Sequence, residues 1–153
     1  MPGAFMHPSL RQLLLAIVLI GIVGLEVELA LLRHAESVTQ WIPHVALMIG
    51  LLSTAAVYFR PGALTLRAFQ VVMLVFLVVG MLGVYLHYRG NVEFALERDP
   101  SLTGANLIWK ALRGATPSLA PGALAQLGLL GLVYTYRHPA FDRSSAHERE
   151  RVD

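Results

Sequence analysis

The chain has 153 residues, of which 56% are hydrophobic and 14% charged, with 12 Lys and Arg against 10 Asp and Glu. The charged share lies well below that of a soluble domain, and the net charge of +2 is not gathered into a basic block, which argues against a nucleic-acid partner. The absence of cysteine excludes disulfides, thiolate metal sites and cysteine nucleophiles.

After a leader containing Pro2 and Pro8, with Ser9 as a candidate N-cap, an apolar run covers residues 13–25. It continues through Glu26-Val27-Glu28 to Leu32 without a small-residue cleavage site, so it predicts a retained helix over residues 10–36, not a signal peptide. A helix needs about 20 apolar residues to cross a bilayer core, and this one carries two carboxylates within that stretch. Ionisable groups at such depth are costly and require a protein interior, water or a partner. Glu26 shares a helical stripe with Ala30 and His34, whereas Glu28 shares another with Leu32 and Glu36. Either acid has Arg33 or His87 as a candidate partner.

Residues 37–40 then predict a short connection, followed by an interfacial Trp41 and by Pro43 in a first turn. The second helix is expected over residues 43–59, stopped by Arg60-Pro61-Gly62. Within it Ala46 and Gly50 form a small pair, and Ser53 and Thr54 are placed to bond back to helix carbonyls. A third helix is predicted over residues 64–88, with Gly90-Asn91 as a turn or interruption and Arg89 and Glu93 spaced for an i,i+4 pair. Residues 102–113 are too short to span and suit a helix lying in the interface plane. A fourth span is expected over residues 118–136, with Pro121 tolerated in its first turn and Gln126 as its one strongly polar group. Gly21/Gly24, Gly80/Gly83 and Gly128/Gly131 repeat one three-residue spacing, which allows neighbouring backbones to approach. Residues 139–153 predict a polar tail, with His7, His138 and His147 at the surface.

Arg11, Arg60, Arg67, Arg137 and Arg143 fall on one side of such a four-span chain, which favours cytoplasmic termini. Glu26, Glu28, His34, Glu36, His44, His87, Asn91, Glu93 and Glu97 then converge near the outer face. Carboxylates and imidazoles are ligand types for a transition metal, with Glu28, His34, His87 and Glu93 as the candidate set. The Glu-x-x-His spacing of four-helix carboxylate sites is absent, however. His44 and His87 are candidates for haem held between two helices. Glu26, Glu36, Asn91 and Glu97 complete the polar pocket. An ion path lacks polar groups through the inner half. No nucleophile motif, phosphate-binding glycine loop or His-Glu-x-x-His accompanies the cluster.

The expectation is an all-α integral membrane protein: a four-helix transmembrane bundle with a short interfacial helix between spans three and four. Its expected setting is a bacterial inner membrane, its partners the lipid bilayer and either a second copy or a larger membrane complex. The expected role is self-association or service as an accessory subunit. A metal- or haem-binding redox protein and a membrane enzyme acting on a lipid are the alternatives.

Overall fold

The computed structural model describes residues 8–141; the predicted leader and most of the predicted tail lie outside the described residues. Five helices follow in order: α1 (Pro8–Leu31), α2 (Val38–Phe59), α3 (Ala63–Arg98), α4 (Gly104–Leu112) and α5 (Gly122–Thr135), with no strand among the described residues. Three segments, Leu10–Leu31, Val38–Phe59 and Ala63–Arg98, are long and apolar enough to cross a membrane. The fourth predicted span is shorter than expected. Its helix α5 has 14 residues, because a turn over residues 118–121 precedes it and Arg137, at φ 48°, breaks the backbone after it.

Three other helix ends differ from expectation, each for a local reason. α1 stops at Leu31, five residues early. There Arg33 adopts a left-handed φ of 51°, its N–H donates to Ala30 O at 3.1 Å, and the His34 N–H donates to Leu29 O at 3.0 Å. This is a Schellman closure, which a glycine usually makes and which here carries no glycine to announce it. α2 starts at Val38, inside the predicted connection, because Gln40 Oε1 accepts from the Glu36 and Ser37 N–H groups at 2.7 and 3.1 Å. Pro43 therefore lies inside the helix.

α3 runs through Gly90-Asn91 without a break. A lone glycine in a helix costs only about 1 kcal/mol, and Asn91 finds its partners on another segment and not on its own backbone. Its Nδ2 donates to Thr116 O at 2.6 Å and Ser118 Oγ at 2.9 Å, while its Oδ1 accepts from Thr116 N at 3.2 Å and Thr116 Oγ1 at 2.7 Å. At 36 residues and 1.5 Å each, α3 is about 54 Å long, more than the roughly 30 Å of a bilayer core. α4 packs against the far end of α3 through the buried Ala111.

α3 is the centre of the core, with Leu66, Phe69, Met73 and Phe76 fully buried along it. Glycines let its neighbours close in. Gly50 of α2 receives the Phe76 ring, Gly128 of α5 lies against the Met73 carbonyl, and Gly131 against the Met73 side chain. From the α3 side, Gly80 meets the Ala125 backbone and Gly83 meets Pro121. Gly21 of α1 seats Leu127, but Gly24 faces open space, so the predicted contact at that position is not made. Ser53 and Thr54 both donate to Gly50 O, at 3.0 and 2.7 Å, as their spacing predicted.

Arg11 joins the start of α1 to the end of α5. It is buried, and its Nη1 donates to Tyr134 O at 2.6 Å while Nη2 donates to Tyr136 O and Arg137 O at 3.0 and 2.9 Å. The last carbonyls of a helix lack intrahelical donors, and a cation there also meets the negative end of the helix dipole. His138, expected at the surface, is buried with its ring 5.5 Å from that of Tyr134, and Ala140 joins the core.

Candidate functional site

The Schellman turn after α1 and the early start of α2 together build a polar junction. The turn holds the His34 carbonyl toward α2, and the extra N-terminal turn brings His44 opposite the end of α1. His44 Nε2 lies 2.9 Å from His34 O, and its Nδ1 lies 2.8 Å from Glu26 Oε1. A backbone carbonyl only accepts, so Nε2 carries a proton and donates it. A second proton is then held between Nδ1 and the Glu26 carboxyl, as an imidazolium–carboxylate pair or as neutral imidazole with carboxylic acid. The Trp41 ring stands 5.4 Å from that of His44.

Glu26 is thus the acid that α1 turns toward α2, and its partner is His44 and not Arg33 or His87. Glu28 is exposed on the other stripe. The second carboxyl oxygen, Glu26 Oε2, is buried and has no hydrogen-bond partner among the described residues. Glu26 also closes one side of an apolar cleft of ≈160 Å³ between α1 and α2, whose walls are Ile22, Val23, Val27, Leu47, Met48 and Leu51.

His34 extends the junction toward α3, with its ring 6.4 Å from that of His87. Burial holds the His34 pKa below its ordinary value, and the neighbouring His87 and His44 push it the same way. His87 Nδ1 is 3.2 Å from Pro117 O. The rest of the predicted cluster disperses. Glu36 and Glu97 are exposed, Glu93 pairs with Arg89 at 2.8 Å as their spacing predicted, and Asn91 is consumed in tying residues 116–118 to α3.

The set Glu28, His34, His87 and Glu93 is not brought together, and no three His, Asp or Glu side chains form a metal-holding group among the described residues. The predicted haem pair meets a different obstacle: both ring nitrogens of His44 are already engaged. Two structural roles escaped sequence reasoning. Arg11 looked like a topology signal and is a helix cap. His44, a candidate haem ligand in the sequence, is the partner of an acid 18 residues earlier. The cost of Glu26 in an apolar run was the available signal, since it demanded a partner of some kind. Comparison with protein-family models, curated proteins and solved structures returns no match.

Proposed function

We propose that the chain is a small four-span protein of a bacterial inner membrane that works by self-association or as an accessory subunit of a larger membrane complex. The observation that carries this reading is where polarity is left free. α1, α2 and α3 turn large apolar side chains outward along their length, Ile20, Leu52 and Val78 among them, as lipid-facing helices do. The inward polar groups, Glu26, His44 and Asn91, are bound to other parts of the same chain. The surface that remains for function is then helix face.

α5, about 21 Å long at 14 residues, serves as the fourth span when the turn before it and Tyr136 after it are included. Arg11, Arg60, Arg67 and Arg137 at one end of the helices support a cytoplasmic location for that end. Exposed Ile108, Trp109 and Leu112 beside Lys110 and Arg113 support an interfacial α4.

Paired cytoplasmic and periplasmic reporters fused within residues 99–103 and after residue 141 test the four-span arrangement. The first site is expected outside and the second inside. Both on the same side would remove the fourth span, and an exchange of sides would invert the orientation.

A second reading, capture of a lipid-like amphiphile, is favoured by one observation. Glu26 Oε2 is a buried acceptor without a donor among the described residues, beside an apolar cleft. A chain lying along Ile22 and Leu47 with an amine or hydroxyl head would satisfy it. Glu26→Leu, which removes both carboxyl oxygens, is expected to lower co-purifying lipid, measured by mass spectrometry after mild-detergent extraction, by about threefold to tenfold, the worth of one hydrogen bond. Equal lipid retention in the variant and the parent chain would sink this second reading.

A further inference from the structure

We infer that two copies of this chain associate through the outer face of α5, with Gln126 of each copy hydrogen-bonded to Gln126 of the other. The inference rests on the membrane reading above and gives the self-association a surface.

The depth of Gln126 is fixed by its neighbours on either side in sequence. Ala125 lies against Gly80, near the middle of the apolar stretch of α3, and Leu127 lies against Gly21, halfway along α1. Gln126 therefore sits at the mid-height of both long helices. Its side chain points away from the bundle and is exposed, and its amide meets no partner among the described residues. At that height in a membrane there is no water, and an unsatisfied amide is costly.

The face around Gln126 is built for a helix. Within α5, Gly122, Gln126, Leu129 and Val133 recur at alternating spacings of four and three, the pattern of a two-helix seam. Leu129 and Val133 are half exposed, and Leu119 and Tyr136 are exposed just beyond the two ends of the helix. The occupant follows from the chemistry of the amide. It offers both donors and acceptors, so a two-fold axis at Gln126 pairs the NH₂ of each copy with the carbonyl of the other. A single polar side chain in an apolar seam also fixes register.

The chain has no cysteine, so single cysteines report proximity without background. In native membranes treated with copper–phenanthroline, full-length Leu129→Cys is expected to form a disulfide dimer. Ile20→Cys, on the outward face of α1, is expected not to. Adding Gln126→Leu should lower the dimer association constant about 3- to 30-fold, the range for one or two interhelical hydrogen bonds, while Gln126→Asn should retain more of it. Release of the protein by alkaline carbonate would overturn the membrane reading and this inference together. Retained protein would overturn the inference alone if it gave no Leu129→Cys dimer, an equal dimer with Gln126→Leu, or a cross-link only to another protein.

Discussion

Gly128→Ala is expected to destabilise the bundle by about 1–3 kcal/mol, the usual cost of forcing a methyl group into a packed core. A Cβ on residue 128 would lie 2.5 Å from the Met73 carbonyl oxygen and 2.9 Å from the Leu77 nitrogen. Both are backbone atoms of α3 and cannot swing aside as a side-chain tip can. Relief requires α3 and α5 to move apart, which also loosens Gly80 from Ala125 and Gly131 from Met73. Gly128→Leu should exceed that range. Gly24→Ala is the matched control, because nothing lies within 4 Å of its Cβ position and alanine is the better helix former. Thermal unfolding in one detergent should separate the two variants by several degrees, and a Gly128→Ala protein as stable as its parent would refute close α3–α5 packing.

Arg11→Met is expected to cost about 2–3 kcal/mol. The substitution keeps an apolar stem but removes three charge-assisted hydrogen bonds, leaving the carbonyls of Tyr134, Tyr136 and Arg137 without that donor. Two things hold the net figure below the sum of three such bonds. The guanidinium must be desolvated, and its Nε finds no partner among the described residues. Arg11→Lys should recover about half the loss, since one ammonium keeps the charge but cannot fork across carbonyls in fixed directions. Unfolding midpoints in detergent would order the three proteins Arg, Lys, Met. Equal midpoints would mean that Arg11 serves topology alone.

The helices themselves were legible in the sequence, because an apolar run of spanning length admits few other structures. Their limits were less so. Arg33 closes α1 in a backbone conformation that glycine normally takes, and no residue type announced it. Gln40 lengthens α2 by a side-chain cap whose acceptor geometry exists only once Glu36 and Ser37 have turned. Gly90-Asn91 carries a turn signature that tertiary bonding overrides, since every polar atom of the Asn91 amide is used on residues 116–118. The site was half legible. The cost of burying Glu26 could be seen, but its pairing with His44 depends on those same two displaced helix ends. The convergence of acids and imidazoles in the sequence was a convergence in height along the helices. Around the bundle, Glu28, Glu36, Glu93 and Glu97 point outward, and only Glu26, His34, His44 and His87 meet.

The Arg11 contacts also set an order on biosynthesis. Synthesis runs from the N-terminus, so α1 is complete while the chain that will receive its guanidinium is still being made. Arg11 waits for carbonyls up to 126 positions later. Until Leu127 has been synthesised Gly21 lacks the side chain that fills it, and until Arg137 has been synthesised Arg11 lacks the last of its acceptors. A nascent or truncated product lacking α5 therefore differs from the finished chain at both ends of this contact: its Arg11 has no carbonyls to cap and its Gly21 faces no Leu127.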